Sequence, residues 1–190
     1  TMLIWDIPAT AGYGVPLQSL FKFRDGERIT YAISLDPRIS GDIGSNEEEK
    51  SDNEDLVIPP SHVLIVSEKG FGSRLSLGIY REPSNKSGRR YVRLERNDQV
   101  ILTSLVQGSE TLVLASQKLR YLLFKVHEVK FLAAAGKGVR LMQLDEDDVL
   151  FAAGLSRHAE DGLRLETTDG DELLLCPSEA HLGKRLTRGK

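Results

Sequence analysis

Cysteine is almost absent from this chain: Cys176 is the only one in 190 residues. That excludes an internal disulfide and a thiolate-rich metal site, and it fits a reducing, cytoplasmic setting. Long apolar runs are missing too, since none approaches the roughly 20 residues a membrane span needs. The start, TMLIWDIPAT, lacks a basic residue followed by a long apolar core, so it does not read as a secretory signal. It opens on threonine and enters a strand-like run at once, as expected of a domain cut from a longer polypeptide. Helix signals are scarce. A strong charge of one sign is also missing: the formal net charge of −3 gives no hint of a nucleic-acid partner.

That average hides an uneven distribution. DIGSNEEEKSDNED, from Asp42 to Asp55, carries seven acids and one lysine, a net of −6, which leaves +3 on the remainder. Residues 40–55 read as a disordered or mobile acidic loop. It either competes for the chain's own basic residues or is an inert solvated insertion.

The apolar residues elsewhere alternate with polar ones or form short β-branched runs broken by glycine, proline and acidic turns, which predicts an all-β fold. YVRLER alternates, with Val92 and Leu94 facing one way and Tyr91, Arg93 and Glu95 the other. HVLIVSEKGFGSRLSLG reads as strand, turn, strand. GLRLETTDGDELLLCP reads as a hairpin in which Asp169-Gly170 supplies the positive φ angles of a two-residue turn.

A repeat organises these pieces. HVLIVSEKGFGSRLSL from His62 aligns with TLVLASQKLRYLLFKV from Thr111, 49 residues later. GRRYVRLERNDQVILTSL from Gly88 aligns with GVRLMQLDEDDVLFAAGL from Gly138 at an offset of 50, matching Arg90 to Arg140, Leu94 to Leu144 and Asp98 to Asp148. MLIWDIPATAGYGVPLQSL and DGERITYAISL are a shorter first copy, and the segment from Asp161 is an incomplete last one. About four units of roughly 50 residues result, at 1–39, 56–110, 111–160 and 161–190, arranged as blades about an axis. The first copy lacks the basic linker and the last lacks its final strands, so the two ends complete each other or meet at a seam.

In register, HVLIVSEKGFGSRLSL, TLVLASQKLRYLLFKV, GKGVRLMQLDEDDVLFAAGL and FKFRDGERITYAISL resemble the C-terminal DNA-binding domain of the bacterial type IIA topoisomerase A subunits, those of DNA gyrase and topoisomerase IV. The resemblance covers nearly the whole chain outside the acidic loop. It implies a propeller-like β-pinwheel whose basic rim bends double-stranded DNA for a catalytic core carried elsewhere. By the same resemblance the domain itself is not an enzyme and needs no cofactor or metal. The parent enzyme uses ATP and magnesium through other domains. The implied partners are the remaining domains of the A subunit, together with its ATPase partner; no membrane is involved. Gyrase's hallmark linker, Q-R-R-G-G-K-G, has only a partial counterpart in AAAGKG, Ala133 to Gly138. KSGRRYVR and GKRLTRGK are looser relatives, and four units with such linkers look more like topoisomerase IV or a divergent relative.

Residue chemistry points the same way. Arg81 to Arg96 holds six basic residues against two acids, Lys118 to Arg140 six against one, and Gly183 to Lys190 four against none. The candidate DNA contacts are Arg74, Arg89, Arg90, Arg93, Lys118, Arg120, Lys137, Arg140, Lys184, Arg185, Arg188 and Lys190. On a rim they neutralise phosphates with strong salt dependence and little sequence preference, and adjacent glycines let backbone amides approach phosphate. The alternatives are that these loops are merely solvated, that the fold is a protein-interaction propeller, or that it is a small β-rich enzyme.

Gly136-Lys137 is no nucleotide loop, because no upstream glycine stands at the required spacing and Gly138 follows in place of Ser or Thr. Gly12 to Gly14 and Gly70 to Gly72 read as hairpin turns. Asp145 to Asp148 matches Asn97-Asp98 and reads as a turn, not a metal site. His62, His127, His158 and His181 lack ligand spacing, and read as surface or strand-end residues. Tyr91 reads as packing against a neighbouring blade, with no catalytic role, and Trp5 as core or seam.

Overall fold

The computed structural model describes residues 1–9, 11–43, 60–85, 87–166, 168–180 and 182–190. The acidic loop therefore lies, from residue 44 onward, outside the described residues, as does His181.

Among the described residues, three antiparallel hairpins carry the fold. β1 (His62–Ser67) pairs with β2 (Phe71–Leu75), and β3 (Val100–Val106) returns to the other side of β1. β4 (Thr111–Ser116) pairs with β5 (Tyr121–Lys125), and β8 (Leu150–Ser156) returns to β4. β9 (Leu163–Glu166) pairs with β10 (Glu172–Leu175) as a two-stranded sheet. Two short strands, β6 (Phe131–Leu132) and β7 (Val139–Arg140), edge β2, the first parallel and the second antiparallel.

β1 and β4 are continuous apolar runs because each is buried on both faces. Leu64 and Val66 join Leu112, Leu114, Phe124 and Leu150 in one core. The alternate residues Val63 and Ile65 look the other way, into a second core with Ile43, Leu75 and Leu77 that Ile33 and Leu35 cover. Val113 and Ala115 form a third with Leu123, Leu175 and partly buried Leu163 and Leu165. Each fully buried leucine contributes about 1.5–3 kcal/mol, so neighbouring sheets supply the core that no single sheet can close.

The structure places the step between the offsets of 49 and 50 in the hairpin turn. Glu68-Lys69-Gly70 joins β1 to β2, whereas Gln117-Lys118-Leu119-Arg120 joins β4 to β5, one residue longer. Gly70 (φ 77°) and Leu119 (φ 60°) share the left-handed position, and Arg120 is the insertion. Both β1–β3 and β4–β8 pairings shift register at the same point, after Val66 and after Ala115.

Several sequence expectations change. The first copy forms no strand among described residues 1–43: a 3-10 turn, Ile4–Asp6, and short helices α1 (Leu17–Leu20) and α2 (Pro37–Ser40) stand there. Pro8 and Pro16 have no N–H to offer a ladder. Trp5 accordingly lies in the turn, 86% exposed, and not in a core. YVRLER is extended linker with a single bridge, Val92 to Gly136, although Tyr91 does pack into the second core. The last hairpin closes at Glu166 and Glu172, so its loop has five positions, and only Gly170 (φ 88°) is left-handed in it among the described residues.

Candidate nucleic-acid interface

Two of the three basic linkers are not free loops; each of these docks along the outer edge of the preceding sheet. Residues 131–140 run beside β2 and end with Arg140 opposite Phe71. Residues 182–190 run beside β5, starting parallel at Leu123 and Leu182. They end with Lys190 and Tyr121 exchanging backbone hydrogen bonds of 2.9 and 3.0 Å. Phe71 and Tyr121 are 50 residues apart, as are Arg140 and Lys190. The same cationic position therefore recurs on successive sheets, and a guanidinium links the two linkers, Arg185 donating to the carbonyl of Arg140 at 2.8 Å.

Glycine permits this docking. Gly138 has φ 82°, and a Cβ there would sit 2.1 Å from the Gly72 carbonyl oxygen; a Cβ on Gly189 would lie 2.5 Å from that of Tyr121. These two glycines thus serve approach to the sheet.

Arg89, Arg90 and Arg93 line an open hollow of about 600 Å³ with Ile79, Tyr80, Ala134 and Ala135. The Arg93 N–H donates to the Gly136 carbonyl at 3.0 Å, and the Tyr80 hydroxyl donates to that of Arg90 at 2.9 Å. This joins the 88–93 linker to the 133–136 segment, so two of the three basic stretches meet. Arg89 lies 3.8 Å from Glu82 and donates to the Ile79 carbonyl.

Lys118, Lys137, Arg140, Lys184, Arg188 and Lys190 are exposed, while Arg120 and Arg185 are half-buried. Three of these cations have acid partners: Lys118 with Asp147, Arg120 with Asp145, and Lys137 with Glu95. Lys137 Nζ also stands 4.0 Å above the Phe71 ring, with the Arg140 guanidinium at 5.5 Å. The hydrogen bond from Lys137 holds the Glu95 carboxyl below its ordinary range, and that from Lys118 does the same for Asp147.

Arg74 departs from the expected rim set. It is 6% exposed, and its guanidinium donates to the carbonyls of Val129 (2.7 Å) and His127 (3.1 Å) and lies 3.3 Å from His62 Nε2. Burial lowers the Arg74 pKa. Its burial on β2, with both carbonyl partners at 127–129, makes it a staple between β2 and the segment that leads into the following linker. His62, expected at a surface or strand end, does open β1 but is fully buried, edge-on to Phe131.

The acidic turns are structural. Asp98 Oδ1 accepts the backbone N–H of Lys69 at 3.0 Å, and Asp148 Oδ1 that of Lys118 at 3.2 Å. Among the described residues no cluster of His, Cys, Asp and Glu could hold a metal, and no helix is long and apolar enough to cross a membrane. What sequence reasoning missed is Phe71 as a platform and Glu95 and Asp145 as partners of the cations. The offset of 50 between those two acids was the available signal.

Comparison with known proteins bears on this geometry. Residues 61–106 and 110–156 match the family model described as DNA gyrase C-terminal domain, beta-propeller. The A subunit of DNA gyrase from Thermotoga maritima is 31% identical over 98 residues, 49% of this chain and 12% of that protein. Its counterpart from Chlamydia pneumoniae is 28% identical over 137 residues, 70% of this chain and 15% of that one. The chain therefore spans less than a sixth of the length of these relatives. The crystal structure of the C-terminal domain of DNA topoisomerase IV superposes with a TM-score of 0.74 at 21% identity, over 93% of this chain and 49% of that one. At that identity the likeness is one of fold.

Proposed function

From a chain whose two central repeats belong to the DNA gyrase C-terminal domain, beta-propeller family, we propose a DNA-binding and DNA-bending accessory domain of a type IIA topoisomerase A subunit. The observation that carries the reading is the recurrence of a cation at one point of successive docked linkers, Arg140 beside β2 and Lys190 beside β5. Arg90 and Arg93 beside the 133–136 segment extend that line of charge. Cations that recur along sheet edges suit the phosphates of a duplex, and phosphate contacts fix position without reading sequence. Binding of this kind is tight at low salt and indifferent to sequence.

Strand passage belongs to the other domains of the A subunit, with its ATPase partner, in a cytoplasmic enzyme. The domain's own part is to hold and curve the duplex. Its cations act by position alone, neutralising phosphates on one side of the helix so that the duplex bends toward the protein. No proton or group transfer is asked of this chain.

Titration with random-sequence duplex DNA at several salt concentrations tests this. The expected result is an affinity that falls steeply with salt and is the same for unrelated sequences. Absence of binding at low salt, or affinity that does not change as salt rises, overturns it.

A further inference from the structure

Glu95 and Asp145 stand at the same point of the repeat, 50 residues apart, three residues before the turn-closing Asp98 and Asp148. Each reaches a cation, but not the equivalent one. Glu95 pairs with Lys137 of the following linker, whereas Asp145 pairs with Arg120, the residue inserted in the longer hairpin turn. The Lys137 position has no cationic counterpart in the next linker, where Thr187 stands, and the shorter turn has no counterpart of Arg120. The acid is thus repeated while its partner is not, which is what a generic anion position would show.

The surroundings of Glu95 describe such a position. Lys137 donates to its carboxylate, and the charges of Lys69 and Arg140 act on it as well. Lys137 and Arg140 are both held over the Phe71 ring. One linker lysine therefore bonds an exposed carboxylate at the sheet edge, within the field of Arg140 and of Lys69, whose own Nζ donates to the Arg96 carbonyl at 2.7 Å. Around Asp145, Arg120 is joined by Lys118, on which the charges of Asp145, Asp147 and Asp148 all act. The Lys137–Glu95 pair is solvent-facing, with 45% and 40% of the two side chains exposed, so a phosphate can take the acid's place without unfolding anything.

We propose that Glu95 and Asp145 are built-in phosphate surrogates: each occupies, in the free protein, the place a DNA phosphate takes in the complex, and so weakens and levels the grip of Lys137 and Arg120. This rests on the DNA-binding reading above. The acids then act as affinity-determining residues that keep the domain from clamping any duplex irreversibly, and DNA must displace them one linker at a time. A like-charge phosphate brought up to an undisplaced carboxylate is repelled, which lets neither partner hold the site fully.

The test compares the whole chain with Glu95→Gln, Asp145→Asn and Lys137→Met in titrations with random-sequence duplex DNA across salt. Thermal unfolding serves as the control for folding. Glu95→Gln is expected to tighten binding roughly two- to fivefold, the range of an exposed ion pair. The log-affinity against log-salt slope should change by much less than the roughly 0.9 of one phosphate contact, since Lys137 neutralises a phosphate in both complexes. Asp145→Asn should act the same way through Arg120 but more weakly, because Asp148 Oδ2 still lies 3.9 Å from that guanidinium. The gain in affinity should not survive for Glu95→Gln in the Lys137→Met background. If the parent chain binds with salt-dependent affinity and both single variants bind equally or more weakly, the surrogate idea is overturned while the DNA reading stands. If neither the parent nor any variant binds at low salt, both fall.

Discussion

Asp148 Oδ1 accepts the backbone N–H of Lys118 at 3.2 Å across 30 positions of sequence. Asp98 does the same for Lys69 at 3.0 Å, 50 residues earlier. In both repeats the turn before the third strand closes the hairpin turn of its own sheet. Adjacent backbone hydrogen bonds repeat as well, Glu68 N–H to the Gln99 carbonyl at 2.8 Å and Gln117 N–H to that of Val149 at 2.9 Å. Asp148 is 4% exposed. Asp148→Ala is therefore expected to lower stability by about 1–3 kcal/mol, the range for losing a hydrogen bond to a charged acceptor. In a domain of this size that is roughly 2–4 °C of melting temperature per kcal/mol. Asp98, half-buried, should cost less. Circular-dichroism melts of both variants check the order, and equal melting temperatures for Asp148→Ala and the parent would dismiss the cap.

Gly138 and Gly88 occupy matching positions with φ 82° and 70°, but only Gly138 faces a carbonyl, that of Gly72. Gly88→Ala meets no atom within 4 Å, so it should cost only about 1–2 kcal/mol for the left-handed backbone. Gly138→Ala must in addition push the linker off β2, breaking the pairing of Val139 and Arg140. The expected outcome is a larger drop in melting temperature together with faster proteolysis within 133–140. A smaller loss for Gly138→Ala than for Gly88→Ala would mean that the docked linker contributes little.

The strand pairs were legible because β1 and β4 are dense apolar runs, buried along their whole length, that need a partner on each side. The repeat was legible because Asp98 and Asp148 keep the turn chemistry identical. The first copy was misread for a physical reason: MLIWDI has the right apolar pattern, yet β-structure needs a partner, and Pro8 and Pro16 deny it one within the described chain. Arg74 was misread as a rim cation because charge is visible in sequence and burial is not. A cation in the middle of GSRLS points wherever strand alternation sends it, here inward to the carbonyls of His127 and Val129. Docking of the linkers was invisible, since Gly136 and Gly138 look alike whether a backbone approaches a phosphate or a sheet edge.

Acid should act on the exposed ion pairs only at the far end of the pH scale. Glu95 and Asp147 are held below their ordinary carboxylate values, by Lys137 and Lys118 respectively. A carboxylate with a depressed folded-state pKa contributes stability above its unfolded value and loses it as pH falls through the folded one. The pairs therefore stay intact from about pH 8 down to about pH 5, above the ordinary carboxylate range. The difference in melting temperature between Glu95→Gln and the parent should stay constant across that interval and change only on the acid limb below it. A difference opening between the two near neutrality would show that another group carries the titration.

Arg74 and the pair Arg90 and Arg93 separate a core cation from surface ones. Arg74→Met removes donors from two carbonyls and should cost about 1–3 kcal/mol. Arg90→Glu with Arg93→Glu touches exposed side chains and should leave stability within about 0.5 kcal/mol. DNA affinity should change in the opposite order. At a temperature where Arg74→Met remains folded, its affinity should match the parent, because the guanidinium is turned into the core. The double charge reversal should weaken binding and reduce the salt slope by roughly 0.9 for each phosphate no longer neutralised. Both quantities come from the same titrations, with melts to fix the folded fraction. Should Arg74→Met lose affinity while folded, or the reversed pair keep it, the DNA-facing edge lies elsewhere on the domain.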